Sequence, residues 1–272
     1  MASWRELGPD NYLLSTPGAL LNTGLVVGTE RAMVIDTGSG PRQGAQILQA
    51  VRELTTLPLV VVTTHAHYDH FFGNAVFAAD GATEFWAHQN AAKTIEESGE
   101  AQRRLLNPEF EPEMAAAEGE HTEILVPSAL VGDQPVLVDL GGLSVTLFYL
   151  GRGHTDGDLL VGTPSTVFTG DLVEEGAHPS FEDSYPVDWA DTLRQLSALR
   201  HRYEFLAPGH GRPVNDEFVK TMATTMSTAV RMAQEAMRET PNDATKSIPI
   251  LPYGPEQSRW FIARLKQTTQ HV

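Results

Sequence analysis

The sequence contains no cysteine among its 272 residues. This absence excludes a disulfide framework, and it also excludes thiolate ligands for any bound metal. A metal site in this chain therefore has to be built from histidine, aspartate and glutamate side chains, which are ligands that suit zinc, iron and manganese.

Basic residues are few, with 19 Lys and Arg against 35 Asp and Glu, which gives a net charge of -16. Proteins that bind nucleic acid need a basic surface to contact phosphates. We therefore expect no nucleic-acid partner and predict a small-molecule substrate instead. The composition leaves the oligomeric state open.

Long apolar runs are also missing, because every apolar stretch is far shorter than the roughly 18 residues that a membrane span needs. Residues 1–6 show no basic region followed by an apolar run, so they do not resemble a signal peptide. From these two absences we expect a cytoplasmic protein that does not associate with a membrane.

Strand patterns occur in both halves of the chain, with helical patterns between and after them. The run Leu59-Val60-Val61-Val62-Thr63 is typical of a strand buried on both faces. Strands return from about residue 134, and helical periodicity dominates from about residue 215 to residue 272. This order predicts two sheets sandwiched between helices, in a single α/β domain over residues 1–272.

Residues 96–123 differ from the rest, since they hold nine glutamates, Pro108, Pro112 and few large apolar side chains. One interpretation is an acidic helical insertion that is solvated. The other is a lid over a functional site, because long irregular segments on a rigid scaffold often carry specificity.

Four potential metal ligands follow the buried strand within six residues, in Thr64-His65-Ala66-His67-Tyr68-Asp69-His70. In an extended chain His65 and His67 point to the same side. The spacing therefore predicts that His65 and His67 bind one metal, and that Asp69 and His70 bind a second.

Each hydrolytic zinc site usually has three protein ligands and one open position for water, so further ligands are needed. Three candidates lie at other predicted strand ends. His154 stands in a glycine-rich turn, Asp171 follows Thr169-Gly170, and His210 stands in Pro208-Gly209-His210-Gly211.

The signature His-x-His-x-Asp-His, followed in order by Gly-His-Thr, Gly-Asp and Pro-Gly-His-Gly, resembles the metallo-β-lactamase superfamily. The resemblance runs from about residue 21 to residue 213. It implies an αββα sandwich of two mixed β-sheets flanked by helices, with extra C-terminal helices over about residues 215–272.

The resemblance also implies a role for each matching residue. It assigns the first metal to His65, His67 and His154, and the second metal to Asp69, His70 and His210. It places Asp171 as a carboxylate that bridges both metals, and Asp36 as a residue that supports the ligands from behind.

These assignments predict a hydrolase with two divalent metal ions per chain, zinc being expected and iron or manganese being alternatives. The ions would share a hydroxide that attacks an ester, lactone, thioester or amide substrate. Asp69 is also predicted as the catalytic residue that relays a proton to the leaving group. Tyr68 and His178 are predicted as substrate contacts from their positions in the chain.

Three other functions stay open at this point. The chain resembles glyoxalase-II-type thioesterases and lactonases through Asp171. The β-lactamases that use a cysteine ligand are excluded, and the remaining class of β-lactamases of this fold usually lacks the bridging aspartate. An amide hydrolase of the β-lactamase kind remains one alternative, and an oxidoreductase resembling persulfide dioxygenases, with a single iron, is another. A non-catalytic binding module is the third, although such a module would have lost ligands.

Overall fold

The computed structural model describes residues 4–17, 20–199, 201–239 and 251–269. A first sheet has seven strands, which lie side by side in chain order. They are β1 (Trp4–Glu6), β2 (Asn11–Ser15), β3 (Asn22–Val27), β4 (Ala32–Ile35), β5 (Leu59–Val62), β6 (Glu84–His88) and β7 (Ala129–Val131). The strands from β1 to β4 pair antiparallel and those from β4 to β7 pair parallel.

A second sheet has five strands in the spatial order β12-β11-β10-β9-β8. They are β8 (Val136–Asp139), β9 (Ser144–Tyr149), β10 (Leu159–Gly162), β11 (Thr166–Glu174) and β12 (Phe205–His210). Only β11 and β12 pair parallel, so this sheet is mixed like the first.

Helices occupy the connections and the C-terminal part. They are α1 (Pro41–Leu54), α2 (Tyr68–Phe71), α3 (Asn74–Ala79), α4 (Gln89–Arg103), α5 (Pro112–Ala116), α6 (Pro186–Ala198), α7 (Asp216–Glu239) and α8 (Gly254–Thr269). Among the described residues, no helix is both long enough and apolar enough to cross a membrane.

The two sheets face each other across a shared apolar layer. Alternating side chains of β5 show how, because Val60 and Val62 point into this layer while Leu59 and Val61 point to the outer face of the sheet. All four side chains are buried, as the continuous β-branched run predicts.

Helices cover the two outer faces. Ile47 of α1 and Phe77 of α3 pack on the first sheet, while Trp189 of α6, Met226 of α7 and Phe261 of α8 pack on the second. The molecule is therefore an αββα sandwich of two mixed sheets with additional C-terminal helices, and the predicted fold class is confirmed. The predicted C-terminal helical region includes residues 240–250 and 270–272, which lie outside the described residues.

Residues 96–123 are solvated over most of their length, since eight of their nine glutamates are exposed, but a few of their side chains pack against the body of the molecule. Leu106 and Met114 are buried with Phe71 and Phe72 beside α2. Arg103 is buried as well, and its guanidinium donates to the carbonyl of Met114 at 3.1 Å. These buried contacts anchor the segment to the body of the molecule. A role of the segment as a lid stays a prediction.

Glu111 of the same segment completes the N-terminus of α1. The residue before that helix is Gly40, which has no side chain to cap it, so the first N–H groups need an acceptor from elsewhere. Glu111 is buried, and its carboxylate accepts from the backbone N of Arg42 at 3.1 Å and of Gln43 at 2.7 Å. A negative charge is favourable at this end of a helix, which accounts for a buried glutamate in the contact.

Candidate metal centre

The first group of predicted ligands lies where two parallel strands end. β4 and β5 are neighbours and parallel, so the residues after them emerge at the same edge of the sheet. Asp36 follows β4, His65 and His67 follow β5, and α2 then begins at Tyr68 and carries Asp69 and His70.

The second group comes from the other sheet. His154 lies in the loop between β9 and β10, and His210 is the last residue of β12. Asp171 lies inside β11, so the prediction that it ends its strand is wrong. The pairing of β11 with β12 shifts register at Gly170, whose φ of +52° is a conformation that glycine adopts readily.

Three histidines meet at one point. The Nδ1 atom of His67 lies 3.1 Å from the Nε2 atom of His65 and 2.9 Å from the Nε2 atom of His154. Nitrogen ligands at about 2.0–2.1 Å from a tetrahedral zinc ion are roughly 3.3 Å apart, so this cluster has the spacing of a three-nitrogen metal site.

A second cluster contains Asp69, His70 and His210. The Oδ2 atom of Asp69 lies 3.2 Å from Nε2 of His210 and 3.7 Å from Nε2 of His70. Two imidazoles and one carboxylate form a donor set that suits a divalent metal ion such as zinc.

Asp171 lies between the two clusters. Its Oδ2 atom is 3.8 Å from Nε2 of His65 and of His154 in the first cluster. The same atom is 3.6 Å from Nε2 of His70 and 3.5 Å from Nε2 of His210 in the second. A single carboxylate is therefore within reach of both clusters.

Gly209 leaves room for the side chain of Asp171. A Cβ atom added at Gly209 would collide with Oδ1 of Asp171 and would come within 3.0 Å of the His70 ring. The glycine of the Pro-Gly-His-Gly motif is therefore required by close packing against the bridging position.

Buried polar atoms at the centre lack partners among the described residues. They include Nε2 of His70 and Oδ1 of Asp171. Buried polar atoms are almost always satisfied in proteins, and leaving one unpaired costs about 1–3 kcal/mol. Because these atoms belong to residues of the clusters, the residues present fit bound divalent metal.

The two carboxylates at the centre are held in their charged form. Burial alone would raise the pKa of Asp69, but His70 and His210 outweigh it and lower the pKa to about 2. The same histidines hold the pKa of Asp171 well below its ordinary value despite burial. Both are therefore anionic at neutral pH, as metal ligands must be.

The histidines divide into two types. Burial, reinforced by the neighbouring His67, lowers the pKa of His154 to about 4, so that its ring is neutral. For His210 burial is outweighed by Asp171 and Asp69, which raise the pKa to about 9. A bound cation would take the place of the proton that His210 carries, because metal ligands bind in their deprotonated form.

Asp36 is hydrogen-bonded to His70. His70 donates from Nδ1 to Oδ2 of Asp36 at 2.8 Å, which turns Nε2 toward the second cluster. The other oxygen of Asp36 accepts from the backbone N of Thr64 at 2.8 Å. Asp36 itself has a φ of +65°, a left-handed conformation that aspartate tolerates better than most residues.

The loop that carries His154 is braced by a residue that sequence reasoning missed. Asp158 is buried, and its carboxylate accepts from the backbone N of Thr155 at 2.9 Å and from the Thr155 hydroxyl at 2.6 Å. Burial raises the pKa of Asp158 to about 7 even though these bonds oppose the shift. Its position four residues after His154 in the glycine-rich turn was the available signal.

A second missed residue is Glu174, which lies behind His154. Its Oε1 atom is 3.5 Å from Nδ1 of His154 and accepts from the backbone N of Ser180 at 3.0 Å. Burial raises the pKa of Glu174 to about 8, and the negative charge of Asp171 adds to the shift. No sequence pattern marks this glutamate, because its role depends on how β11 passes the loop of His154.

Asp183 is the third missed residue. His67 donates from Nε2 to Oδ2 of Asp183 at 3.0 Å, which fixes the ring with Nδ1 toward the first cluster. Arg264 of α8 donates to the backbone carbonyls of Asp183 and Ser184 and holds this stretch in place. The sequence around Asp183 has no motif that would have identified it.

The two residues predicted as substrate contacts lie in different surroundings. Tyr68 is half-buried and lines a groove between α1 and the loop after α4. His178 is exposed and packs beside Gly254 at the start of α8, and it belongs to none of the ligand clusters found among the described residues. A role for either residue in substrate binding stays a prediction.

Comparison with known proteins identifies the class to which this site belongs. A family model described as the metallo-beta-lactamase superfamily matches residues 19–210. The chain therefore belongs to the metallo-beta-lactamase superfamily, and it has histidine and aspartate clusters able to bind metal.

Individual relatives come from sequence and from structure. The chain is 26% identical over 215 residues to the Homo sapiens acyl-coenzyme A thioesterase MBLAC2, and the aligned region covers 71% of this chain and 74% of that protein. It also resembles the metallo-beta-lactamase from Pontibacter korlensis, with a TM-score of 0.66, 16% identity, and coverage of 84% of this chain and 99% of that one. The DIM-1 metallo-beta-lactamase gives a TM-score of 0.63 and 16% identity over 84% and 98% of the two chains. These structural likenesses establish the fold, while the family and the thioesterase relative support an enzyme of the hydrolase class.

Proposed function

We propose that the protein is a dinuclear zinc hydrolase that acts on thioester or ester bonds. The observation that carries the proposal is the position of Asp171, whose Oδ2 atom lies 3.5–3.8 Å from nitrogen atoms of both clusters. A carboxylate shared by two three-residue clusters fits two cations better than one.

In this proposal His65, His67 and His154 hold the first ion, while Asp69, His70 and His210 hold the second. Asp171 contributes to both. Two divalent ions in such a site would supply Lewis acidity toward the substrate carbonyl and would lower the pKa of a coordinated water. Asp36 and Asp183 keep the rings of His70 and His67 in the orientations that ligation needs.

Asp69 is proposed as the residue that handles the proton. Its Oδ2 atom faces His70 and His210, which directs one oxygen of the carboxylate to the second cluster. We assign the other oxygen to proton transfer toward the leaving group. The low pKa of the carboxyl makes it a short-lived proton carrier, which suits a relay rather than a stored acid.

The choice of thioester or ester rests on two observations. The human relative is named as an acyl-coenzyme A thioesterase, and it aligns over most of this chain. The chain has no cysteine, so its centre differs from that of β-lactamases that use a cysteine ligand. An amide hydrolase of the β-lactamase kind is the competing substrate class, since the structural neighbours carry that name.

Elemental analysis of protein purified without chelators tests the metal assignment, and we expect two zinc ions per chain. Removal with EDTA should abolish hydrolysis of an acyl thioester, and zinc should restore it. A reproducible single iron with no zinc would contradict the proposal and favour the oxidoreductase alternative. His121→Asn provides the control for histidine loss, because His121 lies outside the clusters and its left-handed φ of 62° suits asparagine.

A substrate panel tests the reaction. Acyl thioesters, lactones, a β-lactam and a phosphodiester should be compared on the two-zinc protein at one pH. We expect the acyl thioester or lactone to give the highest kcat/KM. A β-lactam turned over faster than both would assign the protein to the competing class.

A further inference from the structure

A groove of about 530 Å³ is lined in part by Tyr68 of α2, the short helix that also carries Asp69 and His70. One wall is formed by the start of α1 and the preceding loop, including Ser39 and Gln46, and the other by the loop after α4, including Leu105 and Phe110. This volume lies within the range of about 300–1,000 Å³ that small-molecule sites occupy.

The groove is continuous with the ligand motif, because Tyr68 lines it and stands between His67 and Asp69 in the chain. The wall after α4 is joined to the same motif, since the side-chain amide of Gln102 donates to the carbonyl of Ala66 at 2.7 Å. The short segment that carries His67 and Asp69 therefore also forms part of the groove.

The wall after α4 carries two large apolar side chains in solvent. Leu105 is 79% exposed and Phe110 is 60% exposed. The segment that bears them is not loose, because Arg103 on one side and Glu111 on the other are buried and hydrogen-bonded. Two exposed apolar side chains held in place beside a groove indicate a binding surface for an apolar ligand.

The opposite wall is preorganised by a hydrogen-bonded chain. Gln43 accepts from the hydroxyl of Ser39 at 2.6 Å and donates to the hydroxyl of Thr16 at 2.7 Å. These polar side chains satisfy one another, so they do not need a polar ligand. The charged residues of the lining are Arg42, Glu109 and Glu111, so the groove has no excess of positive charge that would select an anionic ligand.

We propose that this groove binds the acyl chain of the substrate and makes the enzyme selective for medium or long acyl groups. The proposal rests on the proposed thioester or ester hydrolase function. The carbonyl of such a substrate lies at the metal clusters, while its uncharged hydrocarbon chain passes Tyr68 and covers Leu105 and Phe110.

Chain-length dependence tests the groove. A series of thioesters with one thiol and acyl groups of two to ten carbons should be hydrolysed by the two-zinc protein. Burial of a methylene is worth about 0.8 kcal/mol, so kcat/KM should rise by up to about fourfold per carbon until the groove is filled. The rise should come mainly from a lower KM, because the chain contacts no reacting atom.

Two substitutions remove the apolar surface without disturbing a buried core. We expect Leu105→Gln with Phe110→Gln to lower kcat/KM for the decanoyl thioester at least tenfold and that for the acetyl thioester less than twofold. Leu137→Gln is the matched control, since Leu137 is a 72% exposed leucine on β8, outside the groove. The control should leave the whole series unchanged.

A binding measurement separates this proposal from the proposed function. Calorimetric titration of the metal-free protein with the uncharged probes 1-decanol and ethanol should show binding of decanol alone, and the double variant should lose it. Hydrolysis that is insensitive to acyl length and to the double substitution would overturn the groove proposal while leaving the hydrolase intact. No hydrolysis of any acyl length by the two-zinc protein would overturn the proposed function itself. A wild-type dimer that the double variant converts to a monomer, with unchanged length dependence, would assign the apolar surface to contacts between copies.

Discussion

The two halves of the sandwich contribute to the metal centre in different ways. The first sheet supplies His65, His67, Asp69 and His70 from one strand end and the short helix after it. The second sheet supplies His154, Asp171 and His210 from three separate places, namely a loop, the interior of a strand and a strand end. Local chain geometry can position the first group, whereas only the packing of the sheets can position the second.

The residues that hydrogen-bond the ligand rings of the first group come from both halves of the chain. Asp36 and Thr64, which orient His70 and His65, belong to the first sheet like the ligands that they contact. The ring of His67 is held instead by Asp183, which follows β11 of the second sheet. The orientation of the His67 ring therefore depends on the second half of the chain, whereas that of His70 is set within the first half.

Asp171→Ala should have the largest effect, since it removes the carboxylate that, among the described residues, reaches both clusters. We expect loss of at least one of the two metal ions and a fall in kcat of about a hundredfold or more, because charge stabilisation in the site disappears with the metal. Elemental analysis and steady-state kinetics on an acyl thioester measure both. Full metal content with near-normal turnover would show that the second half supplies no shared ligand.

Asp36→Asn should have a smaller effect that starts in the first half. Asparagine keeps the shape and tolerates the left-handed backbone, but it loses the charge that holds Nδ1 of His70. Outer partners of metal ligands are typically worth 10–100-fold in metal affinity, so zinc affinity of one site should fall within that range. Competition with a chromophoric chelator measures it. An unchanged affinity would mean that the packing of α2 alone positions His70.

Asp183→Asn should have the smallest effect, because Asp183 is exposed on 52% of its side-chain surface and its charge is screened by water. We expect zinc affinity of the first site to fall by about tenfold or less, with the second site unaffected. The chelator competition resolves the two steps. A loss at the second site equal to that at the first would contradict the assignment of Asp183 to His67. Asp191→Asn, on the exposed face of α6, is the matched control.

The acidic segment shows where sequence reasoning was limited within one stretch of chain. Its composition was read correctly as poor in apolar residues, yet the packing of Leu106 and Met114 against α2 was not foreseen. Composition averages over a segment, whereas packing depends on where a few side chains fall. Glu111 is the clearest example, because only the approach of α1 gives a buried glutamate its two backbone donors.

The sequence by itself predicted two sheets sandwiched between helices and the ligand candidates, since strand periodicity and histidine spacing are local properties of the chain. The αββα class followed from the resemblance of its motifs to a known family. The sequence also determined that no thiolate could take part. The tertiary structure decided which nitrogen of each histidine faces the centre, how Asp171 comes to lie between two clusters, and which acids stand behind the rings. The reason is physical: a hydrogen bond such as that from His67 to Asp183 joins residues more than a hundred positions apart. No local pattern encodes it, because its partners meet only when the two sheets pack face to face.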